Sequence, residues 1–170
     1  RAFLGFMIYG LCSYMFVYSF ADDLVPWLFG DKYAGTPQYC KEMFLSILIF
    51  PTLFLQANVL ITMKLEKLDM LCNIVSLVLN VTLCAVGFYY MKSLSVVNYA
   101  IFLSFLAFHF IQDVVLIRKK VSGLPEVLGY YGISAILLFG YQYLCTIIQK
   151  EYLFFIFWAI LALAGLIFYL

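Results

Sequence analysis

Six apolar segments, each about as long as a membrane-spanning helix, divide this chain from end to end. They cover residues 2–21, 41–62, 70–91, 95–116, 127–148 and 152–170. A helix needs about 20 apolar residues to cross the hydrocarbon core of a bilayer. The alternation of a barrel strand is absent, so the sequence predicts helices. Hydrophobic residues make up 66% of the chain and charged residues 11%, which excludes a soluble domain and a disordered chain.

The predicted fold is an all-α, polytopic membrane helix bundle with six transmembrane helices in one transmembrane domain, residues 1–170. The basic residues between the segments indicate its orientation. Six lie on one side (Arg1, Lys64, Lys67, Arg118, Lys119 and Lys120) and four on the other (Lys32, Lys41, Lys92 and Lys150). The positive-inside rule places the first side, and with it both ends of the chain, in the cytoplasm. Alternatively, residues 1–21 are a signal peptide, although their apolar run is longer than is typical.

Prolines and capping residues mark several of the predicted helix ends. Thr36-Pro37 is typical of an N-cap followed by proline in the first turn, and Asp69 is predicted to cap the third helix. Pro51 lies inside the second segment, where we expect it to kink the helix. Pro125 follows Gly123 at the start of the fifth helix.

Amide side chains enter the second and third segments, where polar groups are costly and usually face protein or water. Four are candidates for lining a hydrophilic path: Gln56, Asn58, Asn73 and Asn80. Thr52 lies four residues before Gln56 and shares its face of a helix. The alternative interpretation is that these side chains form hydrogen bonds between helices, as polar groups in membrane bundles commonly do.

The single histidine lies in the fourth segment, four residues before an aspartate. His109 and Asp113 therefore share one face of the predicted helix. Because histidine titrates near neutral pH, the pair is a candidate for coupling transport to protons. Alternatively, Asp113 pairs with the basic cluster that begins at Arg118, about one turn away.

No pattern in the chain predicts an enzyme, a metal site or a cofactor. The five cysteines, at 12, 40, 72, 84 and 145, form no CxxC pair and no zinc spacing with histidine. We interpret them as buried thiols. The only adjacent acidic pair, Asp22-Asp23, lies outside the apolar segments. Adjacent side chains on a helix point about 100° apart, so these two carboxylates do not converge on a metal ion. A net charge of +1 gives no indication of a nucleic-acid partner.

A short element after the first segment resembles a known family. Leu28-Phe29-Gly30-Asp31-Lys32-Tyr33 is similar to the LFG-x-x-Y element of Wzx-type polysaccharide and oligosaccharide flippases. These belong to the multidrug/oligosaccharidyl-lipid/polysaccharide exporter superfamily. The motif residues are Leu28, Phe29, Gly30 and Tyr33. Ser76 with Asn80 and Ala100 with Ser104 resemble the elements that follow it in the family.

The resemblance implies the C-terminal part, helices nine to fourteen, of a two-lobed exporter that works by alternating access. An N-terminal lobe would then be missing from this chain. The implied activity is the movement of an undecaprenyl-diphosphate-linked glycan from the inner to the outer leaflet of the bacterial inner membrane, for cell-surface polysaccharide biosynthesis. Membrane lipid and the lipid-linked oligosaccharide are the implied partners. The basic residues that bind the diphosphate would belong to the missing lobe, because no Arg or Lys lies deep in a segment.

Three other functions compete with this interpretation. A multidrug or cation antiporter of the same superfamily would share the fold and would need an intramembrane acid, for which Asp113 is the candidate. An envelope-assembly membrane subunit would need no transport site. An intramembrane enzyme is the least favoured, because the chain lacks the clustered carboxylates and basic groups that such chemistry uses.

Overall fold

A computed structural model describes the backbone of residues 2–169 and the side chains of residue 3 and residues 5–160. All regular secondary structure within this part is helical. The seven α-helices are α1 (Ala2–Phe29), α2 (Pro37–Met43), α3 (Phe50–Thr62), α4 (Glu66–Met91), α5 (Leu94–Arg118), α6 (Leu124–Leu144) and α7 (Lys150–Tyr169). Short 3-10 helices follow α1, at Asp31–Tyr33, and α2, at Phe44–Leu48.

Four helical stretches within the described residues are long and apolar enough to cross a membrane. They are Pro37–Thr62, Glu66–Met91, Leu94–Arg118 and Leu124–Leu144. The chain therefore has the architecture of a helical membrane bundle, as the sequence predicts. The six-span count and the orientation stay predictions, and Arg1, one of the basic residues used for the orientation, lies outside the described residues.

The second predicted segment is interrupted rather than smoothly kinked. The helix of α2 tightens into the 3-10 turn at Phe44–Leu48 and restarts as α3 at Phe50. Pro51 occupies the first turn of α3, where its missing N–H is not needed. The irregularity expected from Pro51 therefore lies before the proline and not at it.

The prediction for Asp69 as a helix cap is wrong. Helix α4 begins at Glu66, three residues earlier, with Leu65 as its N-cap. Asp69 thus lies in the first turn of α4, where a carboxylate suits the positive end of the helix dipole. Its side chain instead accepts a hydrogen bond from Gln112 on α5 at 2.8 Å.

Helix α1 packs against α2, α3, α6 and α7 and against the 3-10 turn at Phe44–Leu48. Its buried core residues include Leu11, Tyr14 and Met15. Helices α4 and α5 form the closest pair, and a Cβ on Gly87 would lie 2.3 Å from Cγ1 of Val96. Away from α3 and α5, α4 exposes a row of apolar side chains, including Leu77, Val78 and Val81, as a lipid-facing helix does.

Candidate functional site

A fully buried ionisable pair on α5 forms the centre of the candidate site. The i, i+4 spacing of the helix places His109 and Asp113 on one face, where they are 0% and 2% exposed. His109 Nδ1 lies 3.0 Å from Oδ2 of Asp113. Asp113 therefore pairs inside the bundle with His109, and the hydrogen bonds of its carboxylate, described below, come from a glutamine and a tyrosine rather than from the Arg118 cluster.

Helix α3 supplies two polar side chains from the facing side. Gln56 donates from Nε2 to Oδ1 of Asp113. One turn earlier, Thr52 Oγ1 lies 3.0 Å from His109 Nε2 and donates its own hydrogen to the carbonyl oxygen of Ile49 at 2.8 Å. On the facing sides of α3 and α5, Thr52 thus contacts His109 and Gln56 contacts Asp113.

Two adjacent tyrosines on α6 complete the arrangement, and the sequence did not single them out. Tyr131 donates from its hydroxyl to Oδ2 of Asp113 at 2.7 Å. The hydroxyl oxygen of Tyr131 also lies 2.6 Å from His109 Nδ1. The ring of Tyr130 stacks on His109, with centroids 5.4 Å apart and planes at 20°. We call Thr52, Gln56, His109, Asp113 and Tyr131 the His109 cluster.

A cavity of about 500 Å³ adjoins the cluster between α1, α3, α5 and α6. Gln56 and Asp113 lie in its wall, together with Tyr130 and, near the start of α6, Glu126. Most of the remaining wall is apolar, from Leu55, Val59, Leu116, Ile133 and similar side chains. Among the described residues that line it there is no lysine or arginine, and its two carboxylates are those of Asp113 and Glu126.

Gln56 has an acceptor that the protein does not use. Its Oε1 is buried and has no hydrogen-bond partner among the described residues, and the same holds for Oε1 of Gln112. Because an unpaired buried polar atom is costly, the cavity beside Gln56 offers a place for a donor such as water or a substrate group.

The other three amides predicted to line a cavity lie apart from the cluster. Asn58 is exposed on α3. Asn73 is exposed on α4, where it donates to the backbone oxygen of Asp69 at 3.0 Å. Asn80 is half-buried on the same helix. None of the three lines the cavity of about 500 Å³, so the structure brings only Gln56 together with His109 and Asp113.

The family-like motif lies at the end of α1. Leu28 and Phe29 close the helix and are exposed, and Gly30 adopts φ of 88°. Only glycine takes this left-handed conformation without strain. Tyr33 ends the 3-10 turn, with its ring centroid 6.1 Å from that of Phe29. The glycine of the motif thus permits the sharp exit from α1.

A second polar group lies at the same end of the bundle. Glu42 on α2 is 6% exposed and accepts hydrogen bonds from Gln38 at 3.0 Å, from Ser95 at 3.1 Å and from Asn98 at 3.4 Å. Its partners are neutral amides and a hydroxyl, so the carboxylate joins α2 to the start of α5.

Ion pairs near the surface join α1, α2 and α7. Lys41 and Lys150 donate to Oδ2 of Asp22 at 2.7 and 2.9 Å. Partial burial raises the pKa of Asp22, but the hydrogen bonds and charges of the two lysines outweigh it and leave the pKa below its ordinary value. The same hydrogen bond from Lys150 raises the pKa of the lysine.

No protein-family model, curated protein or solved structure matches this chain. Within the described residues, no group of three or more His, Cys, Asp and Glu side chains is arranged to hold a metal ion. The candidate site consists of a buried acid–base pair, His109 and Asp113, that is hydrogen-bonded to Tyr131 and lies beside a cavity with apolar and acidic walls.

Proposed function

We propose that this chain is part of a flippase that moves an undecaprenyl-diphosphate-linked oligosaccharide from the inner to the outer leaflet of a bacterial inner membrane. The observation that carries a transport role is the fully buried His109–Asp113 pair beside a cavity of about 500 Å³ in a membrane helix bundle. Ionisable groups inside a membrane are expensive and mark transport paths by default. The resemblance of Leu28–Tyr33 to the flippase element supports the choice of cargo.

The proposed mechanism is alternating access between this helix bundle and a second lobe. Two bundles that rock against each other expose a central site to one leaflet and then to the other. The exposed apolar face of α4 and the exposed motif residues Leu28 and Phe29 leave surface for lipid or for such a lobe.

The charges of the cavity limit which part of the cargo it can hold. A lipid diphosphate is strongly anionic and requires Arg or Lys, whereas Asp113 and Glu126 line this cavity without a described basic partner in its wall. We therefore assign the diphosphate to basic residues of the second lobe. In this proposal the cavity beside Asp113 does not bind the diphosphate headgroup, and Asp113 takes part in coupling the conformational change.

The two carboxylates in the cavity wall, those of Asp113 and Glu126, favour one alternative, an antiporter for organic cations. A cavity with apolar walls and two carboxylates suits a cation attached to an apolar body. Such a transporter would also use Asp113 for ion coupling. An envelope-assembly subunit has less support, because it gives no reason for burying His109 and Asp113 beside a cavity.

Deletion of the native gene separates these functions. For a flippase, we expect loss of surface polysaccharide and accumulation of the lipid-linked oligosaccharide on the inner leaflet. The native gene should restore both, and a copy with Asp113→Asn should restore little. A normal glycan surface together with increased retention of a cationic dye such as ethidium would instead support the antiporter. No change in either phenotype would contradict both transport functions.

A further inference from the structure

The polar side chains that line the cavity of about 500 Å³ are mainly hydrogen-bond acceptors. Asp113 and Glu126 contribute carboxylates, and Gln56 contributes an amide. Because Nε2 of Gln56 already donates to Asp113, the group that this amide still offers is its carbonyl oxygen, Oε1. The hydroxyls of Tyr130 and Ser122 also lie in the wall. The first donates to a backbone carbonyl oxygen at 3.3 Å, and the second can accept as well as donate.

The acceptor of this group that most needs a partner is Oε1 of Gln56. Gln56 is 2% exposed, and its Oε1 has no hydrogen-bond partner among the described residues. The amide cannot turn its own N–H groups toward the cavity without withdrawing a donor from the carboxylate of Asp113. Since an unpaired buried acceptor costs free energy, a molecule that brings an N–H group to this oxygen gains affinity from it.

The rest of the cavity wall suits an apolar body. Leu55, Val59, Leu116 and Ile133 contribute aliphatic side chains. The volume lies within the range of small-molecule sites, about 300–1,000 Å³. Gly129 on α6 also lines the cavity, and a Cβ at this position would meet no atom within 4 Å. The cavity thus places open apolar space next to a buried group of acceptors.

The wall of the cavity runs from buried acceptors to the surface of the bundle. Val121 and Glu126, near the start of α6, are exposed, whereas Gln56 and Asp113 are buried. A ligand that enters beside Glu126 can therefore reach the buried acceptors with its polar end.

We infer that this cavity binds an amine that carries N–H hydrogens on an apolar body, and that it discriminates against quaternary ammonium ions of the same body. The N–H groups would pair with Oε1 of Gln56 and with the carboxylate of Asp113, and their positive charge suits the two carboxylates. A quaternary ion has the charge but no hydrogen to donate, so Oε1 of Gln56 stays unpaired.

The inference goes beyond the proposed function, because it assigns a ligand to the cavity whether or not the chain moves a lipid-linked oligosaccharide. It is also narrower than the alternative of an organic-cation antiporter. Charge alone would admit quaternary ions, whereas the unpaired oxygen of Gln56 requires a donor.

Two compounds with one apolar body and one positive charge test this selectivity. Phenethylammonium carries three N–H hydrogens, and phenethyltrimethylammonium carries none. Isothermal titration calorimetry at neutral pH measures the binding of each to the native gene product in lipid nanodiscs, with empty nanodiscs as the blank. We expect saturable binding of phenethylammonium, and an affinity for the trimethylated compound that is lower by at least about tenfold.

Variants separate the acceptor of Gln56 from the space of the cavity. Gln56→Met keeps a similar length but removes the acceptor, so it should lose the preference between the two compounds. Gly129→Leu fills the cavity and should weaken phenethylammonium binding by at least about tenfold. Gly132→Leu is the matched control, because Gly132 is also on α6 and has open space around it but does not line the cavity. Its binding should equal that of the wild type.

A signal equal to that of empty nanodiscs would mean that the cavity holds water only, and would overturn the inference. Equal affinities for the two compounds would also overturn it, as would a preference that persists in Gln56→Met or an equal effect of the two glycine variants. If Gln56→Met does not fold, the wild-type ratio and the glycine pair still decide. No lipid-linked oligosaccharide is present in these measurements, so their outcome is independent of whether the flippase activity is found.

Discussion

Gln56 on α3 donates a hydrogen bond to the carboxylate of Asp113 on α5, and both side chains are 2% exposed. We expect Gln56→Leu to lower the free energy of unfolding by about 1–3 kcal/mol, because a buried carboxylate loses a donor. Unfolding in mixed micelles with increasing dodecyl sulfate measures the change. Asn58→Leu, which removes an exposed amide from the same helix, should cost much less. Equal costs would contradict the assigned role of Gln56.

Gly10 on α1 lies against the 3-10 turn between α2 and α3. A Cβ at this position would lie 2.7 Å from the carbonyl oxygen of Ile47, a backbone atom that cannot rotate away. Gly10→Ala should therefore destabilise the protein by about 1–3 kcal/mol through overpacking. At Gly5 on the same helix a Cβ meets no atom within 4 Å, so Gly5→Ala should be neutral or stabilising. Thermal unfolding of both variants tests the packing, and a destabilised Gly5→Ala would argue against it.

Gly30 makes the exit from α1 through its backbone conformation rather than through lack of space. Its φ is 88°, and a Cβ there would meet no atom within 4 Å. Gly30→Ala should cost about 1–2 kcal/mol because alanine is strained in this region. Gly35→Ala, also in open space but without a positive φ, provides the control. Thermal midpoints that fall by the same amount in both variants would mean that the conformation of Gly30 is not the cause.

The ion pairs of Asp22 should stabilise the protein in a pH-dependent way. Because the pKa of Asp22 is lowered in the folded state, its contribution is present above the ordinary aspartate value of about 4. It is lost as the pH falls through the lowered value. The raised pKa of Lys150 likewise gives a contribution that is present below about 10.4 and lost as the pH rises through the raised value.

Asp22→Asn should therefore lower the thermal midpoint slightly at neutral pH. Solvent and salt screen these half-exposed side chains, so the free-energy change should be below about 1 kcal/mol. The difference from the wild type should vanish in strong acid and shrink in high salt. Asp23→Asn, at the neighbouring exposed position, serves as the control. A difference that persists in acid would show that charge pairing is not its source.

Much of the fold could be predicted because apolar segments of membrane length leave few alternatives to helices. The spacing of His109 and Asp113 likewise predicts a shared face on any helix. Spacing does not say which way that face points, however. Asn73 and Asn80 are seven residues, about two turns, apart and so also share a face. However, α4 is the least buried of the four candidate membrane-spanning helices, and its amides lie outside the cluster.

The tyrosines of α6 were missed for a related reason. A tyrosine in a membrane helix is typical of an interfacial belt, and nothing local to Tyr130 and Tyr131 indicates an aspartate on another helix. Their role follows from how α6 packs, which depends on contacts far apart in the chain. Glu42 was missed in the same way, because its three partners come from its own helix and from α5.

The most direct test of the transport function is leaflet translocation by the native gene product in proteoliposomes. A fluorescent lipid-diphosphate-linked oligosaccharide is placed in the inner leaflet, and a membrane-impermeant quencher reports its arrival outside. We predict protein-dependent translocation that falls at least about tenfold in Asp113→Asn, the loss of a contribution of about 1.4 kcal/mol, and that is unchanged in Glu66→Gln. Translocation at the rate of empty vesicles, from protein shown to be folded, would contradict the proposed function.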